Sequence, residues 1–413
     1  MRKRIFLSSP ALVCCAGRDR NELYRACLEA NQTGLAIHDM PGCGKFPVGL
    51  IDDCREAGDC RSDYQLIPPV YAGATKIIRI VNAALEQLRS VVEKALSKYS
   101  PDRIGICFGS CDNGSENSIM AQNSLIEKNA FPDDYSLRYQ IPSFPLELIS
   151  RKFGISGPAF TVSTACASGA SAIIRGAELI RAGFCDAVIA GGADIVSPTV
   201  FTGFLALEAV SDSLTNPFSK NRKGLNLGEG AAFFLLDSSA PVQQAESSCV
   251  ELLGFGESAD ACHMTAPGVD GEGAAKAMKA ALLDAGLDSG QIGYINLHGT
   301  GTELNDKAEA MAMKKVFAAP PTAPPPVSST KPIIGHTLGA AGALEAAICW
   351  MVLTEKRGLP VHCWDGVWDE EAPFFPVTQE MNKTSFPAPS ICMSNSFAFG
   401  GCNVSLILGV LND

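Results

Sequence analysis

Apolar, strand-like runs alternate with helical patterns along the whole chain, and this alternation constrains the fold more than any other feature of the sequence. Such a chain folds into α/β layers, and we expect largely parallel central strands. The strand-like runs cover residues 4–9, 103–109, 159–164, 186–192 and 231–237, then 250–256, 292–298, 391–396 and 403–409. Helical spacing of apolar positions covers 72–98, 167–183, 273–286, 303–317 and 338–355.

The two sets of runs are similar in order and length, which predicts two α/β halves. The polar stretch SSAPVQQAESS at 238–248 lies between them and is typical of a connector. We therefore expect an N-terminal half over residues 1–245 and a C-terminal half over residues 246–413. With 413 residues, of which 46% are hydrophobic, the chain is long enough for both cores.

Composition excludes several functional classes. The net charge of −11 argues against a general nucleic-acid-binding protein, which usually carries a basic surface. The 16 cysteines contain no C-x-x-C pair, so we expect no zinc or other metal site. A disulfide framework is typical of short secreted chains, so these thiols indicate a reducing cytoplasm. The proline-rich stretch at 318–326 favours a stiff surface loop.

The first residues, MRKRIFLSSPALVCCAG, imitate a secretory signal, because a basic start is followed by an apolar run and small residues. Ser8, Ser9 and Pro10 interrupt that run, and the pattern of 4–9 favours a first buried strand. No run of about 18 apolar residues occurs elsewhere, so we expect no membrane span and a cytoplasmic protein.

The stretch VSTACASGAS at 162–171 places Cys166 between a strand and a helix of small residues. A thiol at a helix N-terminus faces free N–H groups and the positive end of the helix dipole, which favours a nucleophilic thiolate. The alternative is an ordinary buried thiol, because free cysteine is among the most commonly buried residue types. This stretch by itself leaves both alternatives open.

His298 lies directly after a strand in NLHGTGTELND at 296–306, before a turn rich in glycine and threonine. A lone histidine is usually a hydrogen-bonded core residue. Here the hydroxyls of Thr300 and Thr302 could bind an amide-bearing ligand arm. The turn lacks both G-x-G-x-x-G and the lysine of a phosphate-binding loop, so it does not indicate a nucleotide site.

Lys331 and His336 bracket a turn in SSTKPIIGHTLGAAGALEA at 328–346, before a helix of glycine and alanine. Glu345 follows nine residues after His336 and could face the same region. A buried Lys331–Glu345 pair is plausible, because an unpaired lysine in an apolar site tends to lose its charge.

A strand runs into a glycine turn in SNSFAFGGCN at 394–403. Gly400 and Gly401 let the backbone approach a reacting atom, and a main-chain N–H there could join that of Cys166 in an oxyanion hole. The alternative for Phe397 and Phe399 is ordinary core packing.

In this order and spacing, TACASG, HGTGT, STK…GHTLGAAGALE and NSFAFGG resemble the β-ketoacyl-[acyl-carrier-protein] synthases of the elongating Cys-His-His type. Matches at 216–231 and 254–267 extend the likeness over most of the C-terminal two-thirds. The resemblance implies a thiolase-like fold, with two similar halves in a five-layer αβαβα arrangement, and a homodimer. It implies no metal or redox cofactor, since the substrates are carried on the phosphopantetheine of an acyl carrier protein.

The resemblance also implies roles. Cys166 would carry the acyl chain as a thioester. His298 and His336 would promote decarboxylation of the malonyl-carrier protein and stabilise the enolate that attacks this thioester, a decarboxylative Claisen condensation. The other matches are Lys331 and Glu345 as a supporting pair, Thr300 and Thr302 as pantetheine contacts, Asp306 as a supporting acid, and Phe399 as the gate whose N–H joins that of Cys166 in the oxyanion hole.

Departures from the family pattern favour a specialised pathway, of polyketide or aryl-polyene type, over housekeeping fatty-acid synthesis. Ala398 stands in the gate where glycine is usual, and Leu225 replaces a phenylalanine. Residues 63–76 lack the basic residues that often dock an acidic carrier protein. The remaining docking candidates are Arg138, Lys220, Arg222 and Lys223.

Three rival interpretations differ at single positions. A thiolase would need a second cysteine in a C-x-G setting, whereas Cys402 is followed by Asn403 and Val404. An initiating synthase would have asparagine where His336 stands. A non-catalytic chain-length factor, which shapes the pocket of a heterodimer, typically lacks the nucleophile that Cys166 supplies here. We expect a homodimer, with a heterodimer as the alternative, and no nucleic-acid or membrane partner.

Overall fold

The computed structural model describes most of both halves. The described residues are 3–29, 32–51, 75–112, 114–133, 135–239, 249–317, 324–367, 369–370, 372, 376–383 and 387–410. Four features predicted from sequence lie wholly or partly outside them: the connector around the boundary at 245/246, the proline-rich stretch, residues 63–76, and the start of the helix predicted over 72–98. The boundary between the halves therefore stays a prediction.

The N-terminal half contains eight strands and six α-helices among the described residues. In chain order they are β1 (Phe6–Leu7), β2 (Ala11–Cys14), α1 (Arg20–Leu28), β3 (Ala36–Met40), β4 (Gly44–Val48), α2 (Lys76–Leu96), β5 (Ile104–Gly109), α3 (Ser115–Lys128), α4 (Phe144–Phe153), β6 (Ala159–Val162), α5 (Ser168–Arg181), β7 (Ala187–Asp194), α6 (Pro198–Ala206) and β8 (Gly230–Asp237). Strands β3 and β4 form a separate hairpin.

The C-terminal half follows the same alternation. Its described elements are β9 (Val250–Ala259), α7 (Glu272–Ala285), β10 (Tyr294–Asn296), α8 (Glu303–Phe317), β11 (Val327–Ser328), α9 (Lys331–Ile334), α10 (Ala341–Glu355), α11 (Gln379–Lys383), β12 (Ile391–Phe397) and β13 (Cys402–Val410). The nine apolar runs found in the sequence all contain strands. Most of these strands are buried on both faces of the sheet, whereas β6 is exposed or half-buried along its length.

The two halves repeat one strand order. The sheet runs β11-β10-β12-β13-β9-β1-β8-β7-β5-β6, and β2 pairs with β8 beside this path. Counted from the start of each half and leaving out β2 and the hairpin, both halves run third, second, fourth, fifth, first. The first strands of the halves, β1 and β9, pair with each other and join the two parts. The predicted similarity of the halves is therefore a structural repeat.

The sheet is less parallel than the alternation predicts. β5 pairs parallel with β6 and β7, and β10 pairs parallel with β11 and β12. The remaining pairs, at the fifth and first strands of each half, are antiparallel. The expectation of largely parallel central strands is therefore wrong, because the strands in the middle of the sheet pair antiparallel. A short turn at 398–401 joins β12 to β13, and a connection of that length allows only antiparallel pairing.

Helices and sheet form five layers. α2 and α4 pack on the outer face of the N-terminal strands, and α7 and α8 lie together on the outer side of β9 and β13. Between the two sets of strands, α10 contacts both β8 and β12, and α5 contacts both β7 and β13. The predicted αβαβα arrangement is confirmed, with α5 and α10 as its central layer.

Small residues let the two central helices pack closely. A Cβ atom on Gly169 would lie 2.7 Å from the carbonyl oxygen of Gly339, and one on Gly342 would lie 2.7 Å from the Cβ of Ala170. Any side chain at these glycines would separate the helices. The first turns of α5 and α10 therefore meet. α5 follows strand β6 in the chain, and α10 follows strand β11 after the short helix α9.

One described helix, Leu338–Glu355, is long and apolar enough to cross a membrane. Of that stretch, 89% is buried inside the protein. It contains α10, so its apolar character matches its place between the two sets of strands.

We predict that Gly191→Ala destabilises the fold, because a Cβ there would lie 2.0 Å from the Ala232 carbonyl oxygen on the neighbouring strand β8. Overpacking of this kind costs about 1–3 kcal/mol or more. The matched control is Gly203→Ala on exposed α6, where a Cβ meets nothing within 4 Å. Urea unfolding should show a lower free energy of unfolding for the first variant and an unchanged or higher one for the second. Equal stabilities would contradict the packing argument.

Candidate active site

A strained turn carries Cys166 between strand β6 and helix α5. Ala165 has a φ of +47°, a left-handed conformation that costs a residue with a side chain about 1–2 kcal/mol. The Ser168 hydroxyl fastens the turn, because it donates to the Ala165 carbonyl at 2.6 Å and accepts from the Thr164 N–H at 2.9 Å. The turn holds the cysteine at the start of the central helix.

Cys166 is buried, and its protonation follows from that burial. Burial raises the pKa of the thiol to about 12, although Lys331 and the main-chain N–H groups of Phe399 and Cys166 lower it. The helix-terminus argument predicts the opposite direction, and desolvation outweighs it here. The resting sulfur is a neutral thiol, so its attack on a substrate requires a base.

His336 is within reach of that sulfur. Its Nε2 lies 2.9 Å from Cys166 Sγ. The main chain fixes its place, because its N–H donates to the Asn226 carbonyl at 2.7 Å and its carbonyl accepts from Gly228 N–H at 3.0 Å. Burial and then the charge of Lys331 lower the pKa of His336 well below the usual value. A neutral imidazole can take the thiol proton.

His298 faces His336 edge-on, with ring centroids 5.4 Å apart and an angle of 85° between the planes. His298 follows strand β10, as Cys166 follows β6 and His336 follows β11, so all three residues come after the carboxyl ends of strands. Burial, then Lys331 and His336, lower the pKa of His298 well below its usual value. Two neutral imidazoles and one thiol therefore share a buried space.

Lys331 determines which nitrogen of His298 carries the proton. Its Nζ pairs with Glu345 Oε1 at 2.5 Å, donates to the His298 carbonyl, and lies 3.4 Å from His298 Nδ1. An ammonium group is only a donor, so Nδ1 accepts and the proton resides on Nε2. His298 therefore presents an N–H to whatever binds between the histidines. Both side chains of the ion pair are 1% exposed.

The turn Phe399–Gly401 closes over the site. The Phe399 ring stacks on Phe204 with centroids 5.3 Å apart, and Phe204 meets the His336 ring edge-on at 6.5 Å. Ala398 has φ −120° and ψ 157°, an extended conformation open to any residue, so this closed position does not require glycine there. Leu225 is buried in an apolar cluster with Phe201 and Phe204.

Thr300, Thr302 and Asp306 lie on the turn and helix that follow His298. The two threonine hydroxyls are 2.9 Å apart, with Thr300 buried and Thr302 half-buried. Asp306 accepts from Gly301 N–H at 3.1 Å and from Phe218 N–H at 2.8 Å. Burial raises the pKa of Asp306 to about 6. Its carboxyl group therefore holds the turn to the neighbouring loop.

Sequence reasoning missed two buried acids. Glu309 accepts from the N–H groups of His298 at 2.9 Å and Gly299 at 2.8 Å, and burial raises its pKa to about 8. The signal for it was the spacing: Asp306 and Glu309 stand three apart and face one side of α8. The position of Glu309 explains how the His298 backbone is held.

Asp194, the second missed acid, ends strand β7. It accepts from Ser110 Oγ at 2.7 Å and from the N–H groups of Cys111 at 2.8 Å, Asp112 at 3.2 Å and Gly339 at 2.6 Å. It thereby ties the end of β5 to the turn before α10. A carboxyl group at the end of a buried strand was the available signal, and burial raises its pKa to about 6.

His362 was missed because no motif surrounds it. Its Nδ1 accepts from Ser329 N–H at 3.0 Å, so Nε2 carries the proton and donates to the Pro217 carbonyl at 3.0 Å. Ser329 Oγ in turn donates to the Gly299 carbonyl at 2.7 Å. His362 thus connects the turn after His298 to the loop that begins at Asn216.

Among the described residues, no group of three or more His, Cys, Asp or Glu side chains could hold a metal ion. The site consists of one thiol, two imidazoles, one buried ion pair and main-chain donors. It can therefore perform nucleophilic and proton-transfer chemistry with its own side chains.

Comparison with known families agrees with this constellation. The N-terminal domain of β-ketoacyl synthases matches residues 70–241, and the C-terminal domain of β-ketoacyl synthases matches residues 249–362. The chain belongs to the β-ketoacyl synthase family. The resemblance found in the four sequence motifs is confirmed, and so is the acyltransferase class.

Relatives of this synthase match it over about three quarters of its length or nearly all of it. It is similar to 3-oxoacyl-[acyl-carrier-protein] synthase 2 of Vibrio cholerae, with 37% identity over 74% of this chain and 75% of that protein. The synthase of the same name from Vibrio harveyi is 35% identical over 98% of both chains. A chain in the complex of a ketosynthase with its chain length factor from Xenorhabdus doucetiae has a TM-score of 0.86 and 34% identity, covering 99% of this chain and 98% of that one. The thiolase-like fold is confirmed.

We predict that acid destabilises this synthase through His362. Burial lowers its pKa from 6.5 to about 4, so its contribution to stability is complete above pH 6.5 and is lost as the pH falls toward 4. Between pH 6.5 and 5 the free energy of unfolding should fall by about 2 kcal/mol through this group. His362→Gln keeps one acceptor and one donor but does not titrate, so the wild type should lose more stability than this variant. Urea unfolding at several pH values measures the difference, and parallel losses would contradict the assignment.

Proposed function

We propose that the chain is an elongating β-ketoacyl-[acyl-carrier-protein] synthase, which joins an acyl thioester to a malonyl unit with loss of carbon dioxide. The observation that carries the proposal is the contact of Cys166 Sγ with His336 Nε2 at 2.9 Å, with the His298 ring edge-on to the His336 ring. Family membership supports the reaction class, and relatives named 3-oxoacyl-[acyl-carrier-protein] synthase 2 support the substrate class.

In the first half-reaction the Cys166 thiol attacks the carbonyl of an acyl group on carrier-bound phosphopantetheine. A new carbon–sulfur bond forms, the thiol proton passes to His336, and the pantetheine sulfur leaves and takes up a proton. The main-chain N–H groups of Cys166 and Phe399 both lie beside the sulfur, so they are suited to bind the oxyanion of the tetrahedral intermediate. The acyl group remains on Cys166 as a thioester.

In the second half-reaction malonyl-carrier protein binds where the first carrier stood. Its carbon–carbon bond to the carboxylate breaks, carbon dioxide leaves, and the electron pair forms an enolate. The Nε2–H of His298, fixed by Lys331 at Nδ1, donates to the enolate oxygen. The neighbouring His336 ring supplies a second donor when its Nε2 carries a proton. The enolate carbon then attacks the carbonyl carbon of the Cys166 thioester and forms the new carbon–carbon bond. The carbon–sulfur bond breaks, and the sulfur leaves as a thiolate that takes up a proton from solvent.

The remaining site residues support these steps without touching the reacting atoms. Lys331 and Glu345 hold the His298 tautomer, and Asp306 holds the turn of Thr300 and Thr302, whose position suits contacts with the pantetheine arm. The chemistry needs no resident cofactor, because the substrates are carried on the phosphopantetheine of an acyl carrier protein.

A specialised pathway, of polyketide or polyene type, suits this chain better than housekeeping fatty-acid synthesis. The similarity to a chain in a ketosynthase–chain length factor complex supports this, as do Ala398 and Leu225. The alternative, a non-catalytic chain-length factor, is disfavoured because the nucleophile and both histidines are present and in contact.

We predict that substitutions in the site affect the two half-reactions, acyl loading and malonyl decarboxylation, to different extents. Cys166→Ala should abolish acyl loading, measured by intact-protein mass spectrometry after incubation with acyl-carrier protein. His298→Ala should leave loading largely intact and lower malonyl decarboxylation by about 10²-fold or more, because it lacks only the enolate donor. His336→Ala should slow both, since His336 contacts the sulfur.

The control for loading is Cys262→Ala, which removes an exposed thiol and should load like the wild type. A wild type that carries no acyl adduct with any chain length would support the partner-subunit alternative. Equal loss of loading in His298→Ala and His336→Ala would contradict the division of labour.

We also propose that the functional unit is a dimer formed at strand β6. This strand ends the sheet, so its outer N–H and C=O groups have no neighbouring strand among the described residues. Phe160 on β6 is 49% exposed, and Leu137 and Ile141 nearby are 67% and 45% exposed. A second copy pairing edge to edge would cover these apolar side chains, and a related subunit is the alternative occupant.

We predict that Phe160→Glu yields a monomer in size-exclusion chromatography with light scattering, because a charge would be buried in the interface. Phe184→Glu, at a residue 64% exposed in the turn after α5, is the control and should stay dimeric. A dimeric Phe160→Glu would exclude this face. A monomeric wild type would instead favour a heterodimer.

A further inference from the structure

An acidic strap lies across the basic loop that sequence reasoning selected for carrier docking. The strap is the segment 362–370, of which all but 368 is described, and it carries Asp365, Asp369 and Glu370. The basic loop is the segment 216–224, with Lys220, Arg222 and Lys223. Two of these carboxylates pair with cations of the loop, Glu370 with Lys220 and Asp369 with Arg222.

Several hydrogen bonds between the strap and the loop involve neither the Asp369 nor the Glu370 side chain. Asp365 accepts from Ser219 Oγ at 2.9 Å and from Asn221 Nδ2 at 2.7 Å. Lys220 N–H donates to the Val367 carbonyl at 3.1 Å. These contacts do not depend on the charges of Asp369 and Glu370, so the strap stays in place when one carboxylate is removed.

The basic loop and the residue before it, Thr215, also contact the turn that leads from buried His298 to the protein surface. Thr215 Oγ1 donates to the Thr300 carbonyl at 2.9 Å, and Gly224 N–H donates to the Gly301 carbonyl at 3.0 Å. Exposure increases along this turn: His298 is 2% exposed, Thr302 is half-buried, and Leu304 is exposed. A partner delivering a substrate arm along this turn would meet the basic loop.

The cations of the loop are not equally available to such a partner. Arg222 pairs with Asp369 at 2.5 Å, and their side chains are 10% and 18% exposed, so this pair is structural. Lys220 pairs with Glu370 at 3.0 Å, but these side chains are 51% and 85% exposed. An exposed pair of this kind contributes little and exchanges readily with another anion. Arg138, the fourth candidate, pairs with Glu147.

We propose that Glu370 competes with the carboxylates on the surface of the acyl carrier protein for Lys220, so that the strap lowers the affinity of this synthase for its carrier. The inference rests on the proposed function. We assign the competing anion to carboxylates on the carrier surface, because the Lys220 side chain is half-exposed and already pairs with a carboxylate. Docking exchanges one carboxylate for another at Lys220, while Arg222 stays locked to Asp369.

The test uses the full-length chain and an acidic acyl carrier protein in its apo form, with binding measured by fluorescence anisotropy. Glu370→Gln should lower the Kd about two- to fivefold at low ionic strength and much less at about 0.5 M salt. Glu93→Gln, an exposed acid on α2, is the matched control and should change the Kd by less. In the Lys220→Gln background, Glu370→Gln should produce no tightening, because the cation for which Glu370 competes is absent.

Tightening by Glu370→Gln that persists without Lys220, or that equals the effect of Glu93→Gln, would overturn the competition. Tightening seen only with the phosphopantetheine-bearing carrier would assign the anion to the arm's phosphate and overturn the choice of the carrier surface. Failure of the proposed function is distinguishable, since it would appear as a wild type that binds carrier but never condenses at saturating carrier.

Discussion

The close packing of α5 against α10 is the interaction on which the rest of the site depends. Each helix follows the third strand of its half, so the repeat brings the two strand-to-helix turns to one place. Cys166 stands in one of these turns and His336 in the other. Gly169 and Gly342 allow the approach, because a Cβ on either would meet the opposing helix or its first turn at 2.7 Å. Without that approach, a 2.9 Å contact between sulfur and imidazole would be impossible.

Buried acids hold the parts that the two helices bring together. Glu309 binds the His298 backbone, Asp194 ties β5 to the turn before α10, and Asp306 anchors the threonine turn. Each accepts two or more hydrogen bonds, which is what makes a buried carboxyl group tolerable. The low dielectric that makes buried carboxyl groups costly also strengthens their hydrogen bonds, so these acids restrict the positions of the side chains in the candidate site.

The neutral state of Cys166, His298 and His336 follows from this burial. Desolvation raises the pKa of Cys166 and lowers the pKa values of both histidines, which leaves thiol and imidazoles uncharged at rest. In the proposed reaction, charge develops only when substrate arrives and a proton moves from sulfur to His336. The buried ion pair of Lys331 with Glu345 lies against His298 Nδ1 and fixes the tautomer of that ring. This arrangement suits the proposed reaction, in which the site must stabilise charge that the substrates create.

The sequence by itself determined which residues stand at strand ends and in what order. Apolar runs predicted most strands, and the helical spacing of apolar residues predicted the long helices. The similar order of both in the two parts of the chain predicted the two halves. These patterns are visible because they depend on which positions of one segment are buried. It missed the hairpin β3–β4 and Glu309, Asp194 and His362, whose partners are distant along the chain. Only the tertiary structure decided the antiparallel pairs, the neutral thiol and the pairing of Lys220 with Glu370. Strand direction, desolvation and ion pairing all depend on which segments become neighbours, and no local pattern contains that information.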